Sequence, residues 1–264
     1  MVADGRKRIL GPMSGEGEPV ADSVAAAAAR TAAAGTARLF SAWAADPSAP
    51  EIGDRRCEGV ADFGARRARV SEVLFSEDRA AELLPGRNDD DQAHRELSEP
   101  HEMIYDGADA FIRVSGRWTG FFLGDPSGPR GPNDPLWPLD ALWGARRDAV
   151  EIGPEAVRGV PTTHCRLTVD LARADALVPA GVSVPAGPYR ALLRMPAEVW
   201  LDEDGLARRV AVSPWPEGAA GAGERTWATV ELWDFGVAVD ITPPRRDEVA
   251  PPREAFGGTP EPGA

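Results

Sequence analysis

Residues 196–212, PAEVWLDEDGLARRVAV, and residues 226–241, TWATVELWDFGVAVDI, indicate the fold more clearly than any other part of the chain. In the first segment, Ala197, Val199 and Leu201 alternate with polar or aromatic residues. This period of two is typical of a strand that buries one face. The stretch therefore predicts antiparallel strands that each carry an aliphatic face.

A turn divides the first segment into two strands. Asp204-Gly205 predicts a two-residue hairpin connection, because Asp and Gly tolerate the positive φ that such turns require. Aliphatic residues recur on one face of the return strand and of the third strand: Leu206, Val210, Val212, Ala228, Val230 and Leu232. Three adjacent antiparallel strands follow from this pattern.

The remaining chain adds strand patterns and a few short helical pieces. Strand patterns occupy residues 36–43, 57–63, 67–75, 101–105, 109–114, 117–124, 148–156 and 162–170. An Ala-rich helix before Gly35, a short apolar helix at 135–144 and a helical start at 171 accompany them. About eleven strands of this kind predict an α+β fold with a single curved antiparallel sheet, a half-barrel with short helices on its concave face.

Composition sets the domain limits and excludes some partners. We expect a flexible segment at 1–20, one domain at 21–243 and a disordered Pro-rich tail at 244–264. A net charge of −13 argues against nucleic-acid binding and against adhesion to anionic lipid surfaces. No run of apolar residues is long enough for a signal peptide or a membrane span, which predicts a cytoplasmic protein.

The curved sheet predicts a hollow between its inner face and the helices, where an apolar ligand would sit. The candidate wall residues share an inward position in their strands or in the short helix: Ile112, Val114, Leu142, Leu167, Val169, Val199, Leu201, Val210, Val230 and Leu232. Most of them serve as ordinary core. Those that the 135–144 helix leaves uncovered would contact the ligand.

Signatures of catalysis and of cofactor or metal binding are absent from the sequence. His94, His101 and His164 are scattered and favour surface positions, and the Asp89–Asp91 run lacks the spacing of a calcium loop. The neighbours His164 and Cys165 point to opposite strand faces, which argues against a nucleophile pair. We therefore expect a protein without catalytic residues and without a cofactor.

Further side chains leave alternatives open. Cys57 and Cys165 read as small buried hydrophobes. The carboxylates of two neighbouring strands and their turn favour solvated positions over an acid–base pair: Glu198, Asp202, Asp204 and Glu231. Aromatic residues on the face opposite the aliphatic set indicate either cross-strand packing or an exposed patch for a partner: Trp200, Trp227, Trp233 and Phe235.

An ordered set of motifs across residues 22–243 resembles the actinobacterial LppX/LprG-type lipoproteins. The motifs are GVADF (59–63), YDGADAFIRVSGRW (105–118), DPLWPLDALWGA (134–145), EIGPEAVRGVPTTHCRLTVDLARA (151–174) and the two segments quoted first. The resemblance implies a LolA-like half-barrel that holds lipid acyl chains without catalysis. The chain departs from that family in lacking a signal peptide and a lipobox cysteine. A misassigned start site would instead imply the cell envelope.

Two functions remain in competition. The first is binding of a lipid or another apolar molecule in the hollow. The second is a protein-binding or regulatory module of the same fold, in which helices fill the hollow. The volume of the hollow distinguishes them, because a ligand pocket needs several hundred Å³ of largely apolar space. An enzyme that uses carboxylates on the rim is a third and weaker interpretation.

Overall fold

The structure is a computed structural model that describes residues 20–52, 55–73, 99–114, 116–122, 134–178, 194–213 and 227–250. Its main element is one sheet of twelve strands. In chain order the strands are β1 Thr36–Ala44, β2 Arg55–Asp62, β3 Arg67–Val73, β4 His101–Asp106, β5 Asp109–Val114, β6 Arg117–Phe122, β7 Val150–Val157, β8 Val160–Asp170, β9 Arg194–Leu201, β10 Ala207–Val212, β11 Trp227–Trp233 and β12 Val249–Ala250.

The strands lie in the order β12-β6-β5-β4-β3-β2-β1-β11-β10-β9-β8-β7. Neighbours are antiparallel except β12, which runs parallel to β6. Because β12 and β7 are the two edges, the sheet is open and does not close into a barrel. The predicted half-barrel is confirmed, with twelve strands where the sequence indicates about eleven.

Among the described residues, one helix precedes β1 and two shorter helices lie between strands in the chain. They are α1 Val20–Ala33, α2 Trp137–Ala141 and α3 Leu171–Leu177, with 3₁₀ turns at Pro50–Ile52, Leu142–Gly144 and Arg246–Glu248. Gly35 follows α1 with a φ of +82°, the left-handed conformation that commonly ends a helix. The expected helix at 135–144 is thus present as α2 and the 3₁₀ turn after it.

Register aligns the aliphatic residues of neighbouring strands. Val230 of β11 lies beside Val210 of β10, which in turn lies beside Val199 of β9. Val24 of α1 and Trp137 of α2 belong to the same buried cluster as these valines. We call this helix-covered side of the sheet the inner face and the opposite side the outer face.

The end of the described chain corrects the prediction of disorder from residue 244. Val249–Ala250 pairs with β6, and Val249 packs with Ile104 and Phe111 on the outer face. Ile241, which is also buried there, precedes it. The Pro-rich composition predicted disorder despite these few apolar residues. They are ordered because they cover apolar side chains of the outer face. Residues 251–264 lie outside the described part.

The connection between β9 and β10 is longer than the predicted two-residue turn. It runs from Asp202 to Leu206, and the two ends are joined by the Asp202 amide, which donates to the Leu206 carbonyl at 3.1 Å. The Asp202 carboxylate accepts from the Leu206 amide at 2.9 Å, so this side chain organises the loop. Gly205 has a φ of +73°, as the Asp-Gly signal requires.

Candidate functional site

The proposed apolar wall forms the core of the protein. Nine of its ten residues are at most 6% exposed: Ile112, Leu142, Leu167, Val169, Val199, Leu201, Val210, Val230 and Leu232. Val114, the tenth, is half-buried against the same cluster. The structure therefore brings these residues together on one surface, and it covers most of that surface with helices.

α2 fills the middle of the trough. Trp137, Leu139 and Leu142 belong to the inner cluster and cover the strands beneath them. The space left between Trp137 and the β1–β2 pair amounts to about 10 Å³. That is barely the volume of one water molecule, so among the described residues this space beneath Trp137 is too small for an apolar ligand.

A larger opening lies beside α1, at the end of the trough towards β7. This opening, which we call the helix cleft, has a volume of about 460 Å³. Its lining comes from α1, β7, β8 and the β9–β10 loop: Val20, Ser23, Arg30, Glu151, Thr163, Cys165, Leu201, Asp202, Glu203, Asp204 and Gly205. Leu201 and Cys165 are buried members of the inner cluster, so the cleft reaches the apolar interior.

A second cleft lies where β7 and β9 begin and β8 ends. This edge cleft has a volume of about 490 Å³ and is lined by Asp148, Val150, Ile152, Arg166, Leu167, Thr168, Arg194, Met195 and Pro196. Val150 and Ile152 are among the most exposed large apolar side chains of the described residues. Of the ten candidate wall residues, Leu167 lines this cleft and Leu201 lines the helix cleft.

An ionic cluster is buried in the inner face on the other side of β1. Arg55 Nε donates to Glu72 Oε1 at 2.6 Å, and the Tyr105 hydroxyl donates to Glu72 Oε2 at 2.8 Å. Glu72 and Tyr105 are fully buried. Since both carboxylate oxygens have partners, the charge of Glu72 is compensated and the cluster is structural.

Burial raises the pKa of three acidic groups on the inner face. Burial and the nearby Glu72 raise the pKa of the Cys57 thiol and that of the Tyr105 hydroxyl well above their usual ranges. Burial and Glu151 raise the pKa of Cys165 to about 11. Both cysteines are free and buried, as expected, and β2 and β8 are separated by four strands.

These pKa values predict a loss of stability in alkali. A group whose pKa is raised by folding contributes its full stability below its unfolded pKa and loses it as the pH rises towards the folded pKa. For each buried thiol, the free energy of unfolding should fall by about 1.4 kcal/mol per pH unit above roughly pH 8.5. Denaturant unfolding under reducing conditions at several pH values would measure the slope. Cys57→Ala should reduce the slope by about 1.4 kcal/mol per pH unit and leave the part due to Cys165; an unchanged slope would contradict the assignment.

On the outer face, aromatic and charged residues form a compact cluster rather than an exposed patch. Trp200 is fully buried, and the His164 ring stacks on it with centroids 4.2 Å apart. Trp200 Nε1 donates to Glu155 at 2.7 Å, and His164 Nε2 lies 3.2 Å from Glu198. The prediction of a surface position for His164 is therefore wrong, because Trp200 and two carboxylates enclose its ring.

Three of the four carboxylates expected to be solvated are paired instead, whereas Asp204 is exposed as expected. Arg209 donates two hydrogen bonds to Glu231, at 2.9 and 2.6 Å, and Arg158 donates a third at 2.8 Å. Glu198 and Asp202 are also buried and in ion pairs. Trp227 is buried in one cluster with Trp200, and Arg158 lies over the half-buried Trp233, so cross-strand packing accounts for the tryptophans. The outer-face prediction for Phe235 is wrong, because this residue follows β11 and packs against the inner cluster.

Nothing among the described residues forms a metal site. No group of three or more His, Cys, Asp or Glu side chains in that part of the chain is arranged to hold an ion. The Asp89–Asp91 run and His94 lie outside it. Cys165 belongs to the inner cluster and His164 contacts the outer-face residue Trp200, so the two side chains do lie on opposite faces.

Comparison with solved structures identifies the class of fold. The protein is similar to LprF from Mycobacterium bovis, with a TM-score of 0.51 and 13% identity over 86% of this chain and 99% of that one. It also matches the lipoprotein LppX from Mycobacterium tuberculosis (TM-score 0.48, 11% identity, 84% of this chain and 99% of that one). The LolA superfamily protein NE2245 from Nitrosomonas europaea matches at a TM-score of 0.25 and 8% identity, over 81% and 94% of the two chains.

The likeness to LprF confirms the expected half-barrel fold, and at 13% identity it concerns the fold alone. No model of a known protein family matches the sequence, and no curated protein matches it. None of the described helices has the length and apolar character needed to cross a bilayer.

Proposed function

We propose that the protein binds one apolar ligand, a lipid or a single acyl chain, in the helix cleft, and that it catalyses no reaction on it. The observation that carries this proposal is a cleft of about 460 Å³ that opens onto the apolar inner face of a half-barrel. Its volume falls in the usual range for small-molecule sites.

Burial supplies the binding energy. Removing some 300 Å² of ligand surface from water contributes about 7 kcal/mol before the costs of association, at roughly 25 cal/mol per Å². Most residues that line the helix cleft are polar or charged, and its apolar contact comes from Val20, Cys165 and Leu201. No cofactor is required for binding of this kind.

α1 forms the adjustable wall of the site. Its buried positions carry mostly small side chains, including Ala27 and Ala28, so it makes limited apolar contact with the sheet. Near its C-terminal end, the Thr31 hydroxyl accepts a hydrogen bond from the buried Ala207 amide at 2.9 Å. In its first turn, Asp22 makes a solvent-exposed ion pair with Arg147 at 3.6 Å. A solvent-exposed ion pair contributes little to stability. The first turn of α1 is therefore held less firmly than its C-terminal end, and we place ligand entry at the first turn.

Two matched variants test the location of the ligand. Thr163 is an exposed residue of β8 in the helix cleft, and Thr168, on the same strand, lines the edge cleft. We expect Thr163→Trp to weaken binding of an uncharged fluorescent apolar probe at least tenfold by filling the cleft, and Thr168→Trp to leave binding unchanged. Fluorescence titration measures both affinities, and circular dichroism checks that both variants fold.

The opposite result, in which only Thr168→Trp reduces binding, would place the ligand in the edge cleft and overturn the proposed site.

Native mass spectrometry of freshly purified protein tests the function itself. If no lipid is retained and the wild-type protein binds no apolar probe, the ligand-binding function is refuted.

A second candidate is a protein-binding module, favoured by the filled centre of the trough beneath α2. In this case the inner cluster serves stability only, and the acidic surface contacts another protein. Recovery of a stoichiometric protein partner, together with failure of the probe to bind, would support the module over the ligand-binding function.

A further inference from the structure

The rim of the helix cleft carries an excess of negative charge. Glu151 comes from β7, while Glu203 and Asp204 come from the β9–β10 loop, and all three are exposed. Within the described part of the chain, none of the three forms an ion pair. The fourth carboxylate, Asp202, is buried and bound to Arg208 at 2.6 Å, so its charge is already compensated.

The positive charge at the cleft is smaller than the negative charge of its rim. Arg30, near the C-terminal end of α1, packs against Gly205 and contributes one unit. The N-terminal end of α1 adds about half a unit through the helix dipole. Asp22 and Arg147 pair with each other beside it and cancel. Among the described residues that line the cleft, three carboxylates against these two sources leave about −1.5 charges.

Polar and apolar parts of the cleft are spatially separated. Leu201 and Cys165 are buried at the inner cluster, whereas Glu151, Glu203 and Asp204 are exposed to water. An amphiphile would therefore place its chain inside and its head beside the carboxylates. The head group would lie within a Debye length of all three, which is about 8–10 Å at ordinary salt concentrations.

We infer that the helix cleft selects amphiphiles with a cationic or uncharged head over amphiphiles with an anionic head. The inference rests on the proposed function and names the class of ligand that the same site takes. A cationic head gains attraction from the rim, an uncharged head loses nothing, and an anionic head is repelled both by the rim and by the net charge of −13.

Three amphiphiles with the same dodecyl chain test the inference: dodecyltrimethylammonium, dodecyl maltoside and dodecyl sulfate, each below its micelle concentration. Each competes with an uncharged fluorescent probe for the full chain. At about 20 mM salt we expect the ammonium compound to displace the probe about tenfold better than the sulfate, with the maltoside between them. At about 500 mM salt the difference should fall to about threefold or less.

A pair of variants with equal charge change separates the cleft from the whole surface. Glu151→Gln, Glu203→Gln and Asp204→Asn together should reduce the tenfold difference to threefold or less at low salt. The control combines Glu51→Gln, Glu58→Gln and Glu99→Gln, three exposed carboxylates outside the cleft lining, and should keep the difference. Thr163→Trp should weaken displacement by all three compounds.

The outcomes distinguish the inference from the function beneath it. Equal competition by the three compounds, or equal loss of discrimination in the two triple variants, overturns the inference and leaves the proposed function standing. Better competition by the sulfate also overturns it. If the wild-type protein binds neither the probe nor any of the three compounds, the proposed function itself fails.

Discussion

Replacing Glu72 by glutamine should lower the free energy of unfolding by about 3 kcal/mol, because it removes the charge that compensates Arg55 inside the protein. Glu72 accepts hydrogen bonds from Arg55 at 2.6 Å and from Tyr105 at 2.8 Å, and its side chain is 1% exposed. Denaturant unfolding at neutral pH, followed by circular dichroism, measures the change.

Glu102→Gln is the matched control, since Glu102 pairs with Arg69 and Arg113 at the exposed side of the sheet. We expect it to cost less than about 1 kcal/mol. A double variant, Arg55→Met with Glu72→Met, should recover part of the loss, because it leaves no unpaired charge in the interior. If Glu72→Gln is no more harmful than Glu102→Gln, the buried pair does not stabilise the fold as described.

Trp200→Ala is expected to destabilise the protein by about 3–5 kcal/mol, the usual cost of deleting a large buried aromatic side chain. Trp200 is fully buried on the outer face, where it stacks on His164, and the Arg209 guanidinium lies 5.0 Å from its ring. Removing the ring leaves a cavity and removes the N–H group that donates a hydrogen bond to Glu155. Thermal and denaturant unfolding provide the measurement.

Trp200→Phe separates packing from hydrogen bonding, because it keeps a ring and removes the Nε1 donor. It should cost about 1–2 kcal/mol. Trp118, a half-buried outer-face residue, provides a control, and Trp118→Ala should cost clearly less than Trp200→Ala. If the two alanine variants lose equal amounts of stability, the buried outer-face cluster around Trp200 does not stabilise the fold more than a half-buried side chain does.

The sequence predicted the sheet because its inner-face residues alternate along most of each strand. Val199 and Leu201 on β9, and Val210 and Val212 on β10, show the period of two, which an irregularity interrupts only at the start of β10. The strand pairing then follows from chain order, since most consecutive strands are neighbours in the sheet. Local patterns were sufficient for these pairings but not for β1–β11 and β12–β6, which join segments far apart in sequence.

The burial of polar side chains such as Glu72 could not be predicted from the sequence, because it depends on partners from distant segments. In β3, Glu72 occupies the inward position that follows Ala68 and Val70, which was a readable signal. Its partners, Arg55 and Tyr105, come from two other strands. On the outer face, the assumption that polar residues are solvated failed for His164, because the neighbouring strand places Trp200 beside it.

The helix cleft could not be derived from the sequence for the same reason. α1, β7, β8 and the β9–β10 loop each contribute lining residues, and no local pattern links Ser23 to Thr163 or Glu203. The apolar wall was predicted as a set, yet which of its members line a cleft depends on where α1 and α2 lie. Leu201 and Leu167 are those members among the described residues.

The position of β1 has a consequence for how the chain folds. β1–β6 and β7–β11 are two meanders in which each strand pairs with the next, and β1 joins them by pairing with β11. Thr36 also reaches the carbonyl of Val237, a residue 201 positions away. Closing so long a loop has a large entropic cost, so each meander should form early and the β1–β11 seam last. Two fragments divided between β6 and β7 would then each hold a complete meander and could reassemble along that seam.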